Sequence, residues 1–189
     1  MFKKIFPFIL LFSVLSCNSG QKKLTEYVNP FIGTTTLWDS VDIGYVPTHR
    51  TWGGETFPGS SLPNAMVQLT PVTQFRSGSG YQYEDTVIYG FAHTSKGHWN
   101  LCHIPLMPAT GTFSPADYKS GYSHQNESAS PAYYQVYLKR YGINAELTST
   151  LRCGFHKYTF MNGGAKKLIA ALTKANEKVR DWEIRQDGN

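Results

Sequence analysis

The chain has 189 residues, 18 Lys+Arg against 13 Asp+Glu, and 14% aromatic but only 16% charged side chains. Few charges with many aromatics suit strands better than a helical bundle. Basic residues never run beyond adjacent pairs, so the net charge of +5 makes no basic face for nucleic acid.

The N-terminus reads Met1-Phe2-Lys3-Lys4, followed by a largely apolar run from Ile5 to Leu15. A basic end before a short apolar core marks a secretion signal. The run is too short to span a bilayer, which takes about 20 apolar residues. It closes as Val14-Leu15-Ser16-Cys17, which resembles a bacterial lipobox. Residues 1–16 are therefore expected to be a lipoprotein signal peptide, with Cys17 acylated. Residues 17–26 are expected to be a polar tether, and the protein to be bacterial and lipid-anchored in the periplasm or at the outer membrane. Contact with a membrane would run through that anchor alone.

Residues 29–63, "NPFIGTTTLWDSVDIGYVPTHRTWGGETFPGSSLP", are dense in Gly, Pro and Thr and cannot hold a long regular element. The aromatics Phe31, Trp38, Tyr45, Trp52 and Phe57 argue for ordered binding loops or domain contacts over disorder.

Beyond them, period-two patterns recur. Ala65, Val67 and Leu69 alternate with polar or mixed neighbours. Tyr134, Val136 and Leu138 share one face, and Ile143, Ala145 and Leu147 share another. Such alternation marks half-buried strands. Tyr141-Gly142 and Asn162-Gly163-Gly164 read as two hairpin turns. Further strands are expected at 86–93, 104–108 and 179–186, with a short helix near 172–179. The spacing predicts an all-β, antiparallel β-sandwich. Cys102 and Cys153 both adjoin apolar residues and are expected as buried free thiols, with a disulfide the alternative in an exported protein.

The segment "HTSKGHWNLCH", residues 93–103, concentrates polar and aromatic groups. Zinc is a poor reading. His93, His98 and His103 are spaced by five, which shares no face on a strand or a helix. A sugar-facing loop fits better: Trp99 offers a ring for stacking, and Lys96, His98 and Asn100 offer hydroxyl partners. His49, Arg50 and Trp52 divide between the same readings of sugar contact and interdomain packing. His124 and His156 read as structural, and Glu146 as a solvated residue on a strand's polar face.

Five stretches occur in a fixed order: "YVNPFIGT" at 27–34, "GETFPGSSLPNAMVQLTP" at 54–71, "GYQYEDTVIYGFAHT" at 80–94, "LMPATG" at 106–111 and "SHQNESASPAYYQVYLKRYGINAELTST" at 123–150. Together they resemble the N-terminal domain of glycoside hydrolase family 92, the calcium-dependent exo-α-mannosidases. The resemblance covers nearly all of residues 27–186 and implies a galactose-mutarotase-like supersandwich, incomplete at its C-terminus, over residues 27–189. It also implies a large (α/α)6 toroid domain as partner. That domain would carry the general acid, the general base and the main calcium ligands of an inverting hydrolysis.

On that reading the chain holds no catalytic residue or metal ligand of its own and is expected to be inactive alone. It would shape a carbohydrate site through His49, Trp52, Glu55, His93, Lys96, His98, Trp99 and Asn100. Two stretches depart from the family. Residues 36–55 are longer than the usual loop before "TFPG", and 94–100 are larger and more basic than the usual small-residue loop. Both fall in loops expected to face the sugar. The competing readings are a stand-alone carbohydrate-binding lipoprotein, and a purely structural sandwich or gene remnant.

Overall fold

The structure, a computed structural model, describes residues 22–37, 51–75, 79–94, 102–172, 179–185 and 187–188, with Thr51 and Trp52 described through their backbone alone. A short 3-10 helix, Leu24–Tyr27, opens the described chain. The strands that follow are β1 Thr36–Leu37, β2 Thr51–Trp52, β3 Ser60–Ser61, β4 Gln68–Val72, β5 Val87–Ile88, β6 Gly90–Ala92 and β7 Leu106–Thr110. The later ones are β8 Ser120–Gly121, β9 Glu127–Ser130, β10 Tyr133–Leu138, β11 Ile143–Ser149, β12 Gly154–Phe160 and β13 Lys166–Ala170. No helix among the described residues is long and apolar enough to cross a membrane.

Two antiparallel sheets form the body. One has the order β12-β11-β10-β9, the other β13-β7-β6-β4-β3. The short pairs β1–β2 and β5–β8 stand beside them. The predicted all-β sandwich is the observed fold, and the alternation that predicted it is its cause. Tyr134, Val136 and Leu138 from β10 and Ile143, Ala145 and Leu147 from β11 are buried. They meet Leu69, Phe91 and Met107 of the facing sheet in one core. Each large side chain so buried contributes roughly 1.5–3 kcal/mol.

The turn at Tyr141-Gly142 joins β10 to β11 as expected, with Gly142 at φ +62, a conformation glycine adopts without strain. Three expectations need correction. The Asn162-Gly163-Gly164 turn does not close a hairpin: β12 pairs with β11, while β13 crosses to the other sheet and pairs with β7. Among the described residues, 179–185 form no strand; their exposed Val179, Trp182 and Ile184 find no partner strand. Cys102 and Cys153 are free, but only Cys102 is buried. Burial pushes the Cys102 thiol up to about 12. The expected helix near 172–179 falls largely on 173–178, outside the described residues, as do the signal peptide and Cys17.

Candidate functional site

His93 follows β6, and His103 precedes β7. Their strands bring the two ends of the 93–103 segment together: Thr94 and His103 form a bridge. The Thr94 hydroxyl lies 2.7 Å from His103 Nδ1. His93 Nδ1 lies 3.3 Å from the Ile104 carbonyl. A carbonyl only accepts, so Nδ1–H donates, and in the neutral ring Nε2 is then the acceptor. Ile104 sits at φ +48, a strained setting for a β-branched residue. Such outliers cluster where a loop's path serves a ligand.

Against His93 lies a histidine expected from the sequence to be structural. His156 projects from β12 and stacks on His93, with centroids 4.7 Å apart and rings 28° from parallel. Its Nδ1 is 2.7 Å from the Tyr158 hydroxyl. Burial, and then the neighbouring His93, push its pKa down from 6.5 to about 4. His156 is therefore a neutral aromatic floor under His93.

Glu55 lies elsewhere. It follows Gly54, whose N–H donates to the Gly33 carbonyl at 2.8 Å, and it occupies a left-handed φ of +51. The adjoining Thr36 N–H donates to Glu84 at 2.9 Å. Burial works against the Glu84 charge, but hydrogen bonds from Thr35 and Thr36 outweigh it and hold the carboxyl below its ordinary range. β3 runs antiparallel to β4, with Ser61 opposite Gln68. The chain before β3 thus lies toward the Val72 end of β4, whereas His93 accepts from Gln68 N–H at the other end. Trp52 lies in β2 opposite Thr36, beside the Glu55 loop. His49, Lys96, His98, Trp99 and Asn100 lie outside the described residues.

A second polar centre was missed in the sequence. The Glu127 carboxylate, fully buried, accepts from the Tyr134 hydroxyl at 2.6 Å and the Tyr81 hydroxyl at 3.1 Å. His124 Nδ1 meets it at 2.6 Å, while His124 Nε2 reaches the Tyr83 carbonyl at 2.6 Å. Burial, then the Glu127 charge, drive the Tyr81 and Tyr134 hydroxyls far above their ordinary range, so both remain donors. The only sequence signal was Glu127 beginning a strand whose inward face is otherwise apolar.

Among the described residues no group of three or more His, Cys, Asp or Glu side chains stands where it could hold a metal ion. The calcium that the family resemblance implies finds no fitting donor set in these residues.

Known proteins agree with this architecture. A family model described as "Glycosyl hydrolase family 92 N-terminal domain" matches residues 27–189. The family GH92 α-mannosidase BT3965 of Bacteroides thetaiotaomicron is 33% identical, with a TM-score of 0.61 over 74% of this chain and 19% of its own. The family GH92 inverting mannosidase BT2199 of the same species is 25% identical, with a TM-score of 0.61 over 78% of this chain and 20% of its own. An uncharacterized secreted glycosidase of Arthroderma benhamiae is 28% identical over 71% of this chain and 20% of its own. The chain thus spans about a fifth of the length of the relatives it matches.

Proposed function

The chain belongs to glycosyl hydrolase family 92, as that family's N-terminal domain, and from this premise we propose that it shapes the sugar site of a secreted exo-acting α-mannosidase. The observation that carries the reading is the setting of His93 between Ile104 and His156. The Ile104 carbonyl fixes the His93 tautomer, the His156 ring supports it, and Nε2 is left to accept from a sugar hydroxyl.

Lys96, His98, Trp99 and Asn100 continue that loop and would complete the contact, with Trp99 stacking on the apolar face of the ring. His49, Trp52 and Glu55 would line a second edge. The general acid, the general base and the calcium ligands would lie on an (α/α)6 toroid domain packed against this sandwich, so that hydrolysis needs both. We place the protein on the bacterial periplasmic or outer-membrane face, held by a lipid on Cys17. Its role there would be glycan breakdown.

The test compares the full-length protein with its His93→Ala and Trp99→Ala variants on an aryl α-mannoside. Each variant must first melt like the parent. A single neutral hydrogen bond is worth about 0.5–1.5 kcal/mol, so His93→Ala should lower kcat/KM roughly two- to tenfold. Losing a stacked ring should cost about 1–3 kcal/mol, and Trp99→Ala correspondingly more. Parental kcat/KM in both variants would overturn the assignment of this loop. Mannoside binding without turnover by the full-length protein would favour a carbohydrate-binding lipoprotein.

A further inference from the structure

The outer face of the β9–β12 sheet, turned away from the core, carries an open concavity of about 610 Å³. That volume lies within the range of small-molecule sites, about 300–1,000 Å³. Its walls are unusual for a solvated sheet face because they are polar and almost uncharged. Gln125 and Asn126 form one rim, Gln135 and Asn144 the floor, and Tyr137 and Met161 offer apolar surface beside them.

Charge is kept off this face. The Glu127 carboxylate is turned inward, where Tyr81, Tyr134 and His124 take it up. Glu146 is paired with Lys157 at 2.9 Å.

The floor is also ordered before any ligand arrives. The single Tyr133 hydroxyl proton is shared between Gln135 Oε1 at 3.0 Å and Glu146 Oε1 at 2.9 Å. Gln135 Nε2 donates onward to Asn144 Oδ1 at 3.2 Å. The donors run in one direction and end at Asn144, whose oxygen is taken and whose amide N–H groups are left to donate to a ligand. The rim is fixed too, since His124 and Glu127 bracket Gln125 and Asn126 and are bonded to each other at 2.6 Å.

Fixed amides with an aromatic ring and a thioether nearby suit a ligand that is neutral, rich in hydroxyls and apolar on one side. Amides donate and accept, as a vicinal diol does, whereas an anion or a cation would meet no counter-charge here. We propose that this concavity binds a neutral saccharide, holding a polysaccharide chain on the sheet face. The saccharide class rests on the family reading above; the neutral polyol chemistry rests on the walls alone.

The experiment is affinity electrophoresis of the full-length protein in native gels containing α-mannan, a neutral β-glucan or polygalacturonate. Asn144→Ala removes the terminal donor. Thr159→Arg fills the concavity from an exposed position and leaves the core untouched, so it decides the matter if Asn144→Ala fails to fold. The expected result is retardation by a neutral polysaccharide that weakens at least fivefold in both variants. Equal retardation of parent and variants, no retardation in either neutral gel, or a variant-sensitive effect confined to polygalacturonate would overturn the proposal. Aryl α-mannoside hydrolysis reports the family reading separately: its absence, with variant-sensitive retardation intact, sinks that reading and leaves the concavity as a saccharide site.

Discussion

At the scale of single residues, two buried titratable groups dominate the chemistry of this sandwich. Glu127 satisfies three donors at once, so its removal strands two tyrosine hydroxyls in the interior and leaves the part-exposed His124 imidazole without its carboxylate. Breaking a buried charged network from one side costs about 3–5 kcal/mol. Glu127→Ala should therefore lose about that much in urea unfolding. Glu127→Gln keeps an acceptor and should lose only about 1–3 kcal/mol.

His156 acts in the opposite sense, because burial disfavours its charged form. Its pKa of about 4 in the folded chain lies below the ordinary 6.5. Between those values the unfolded chain binds the proton and the folded chain does not, so stability falls as pH drops from about 6.5 to about 4 and then levels. The loss is at most about 3 kcal/mol. His156→Leu should flatten this window, read as the difference in unfolding free energy between pH 7 and pH 4. An undiminished difference would show that another group sets the acid sensitivity.

Among the elements, a two-residue strand has the tightest constraint. Gly59 leads into β3 so close to β4 that an added Cβ would stand 1.8 Å from the Leu69 carbonyl oxygen. That neighbour is backbone and cannot step aside, so Gly59→Ala should detach β3 and cost about 2–4 kcal/mol, measured by chemical denaturation. β13 forms the edge at the other side of the same sheet and carries Lys166 and Lys167, charges that discourage edge pairing. The strand patterns were legible wherever one face is buried, as in β10 and β11, because a one-residue slip would expose the whole apolar set. They failed for 179–185, where alternation had no sheet to join. They also failed at Asn162-Gly163-Gly164, where turn residues fix a local reversal but not the sheet that receives the next strand.

For the whole molecule, large apolar side chains remain on the surface. Leu168, Trp182 and Ile184 are each more than half exposed. Apolar surface of this kind marks a contact with something else, and the toroid domain we propose would supply it. Residues 18–189 produced alone should therefore associate in light scattering at micromolar concentration. A monomer with a cooperative melt would show that the sandwich needs no such partner.

The sequence by itself determined the all-β class, the inward faces of β10 and β11 and the family, because these rest on period-two burial and on motifs that survive in linear order. It also singled out the 93–103 segment by composition. Only the tertiary structure decided what stands beside what. It set His156 under His93, placed Glu55 toward the opposite end of β4, and buried Glu127 among hydroxyls. It lined up Gln135 with Glu146 and set Asn144 opposite Thr159 across three strands. The reason is physical: side-chain alternation is a local property of each strand, whereas cross-strand register and the packing of one sheet on another join residues far apart in the chain. No local pattern encodes which distant strand will supply the neighbour.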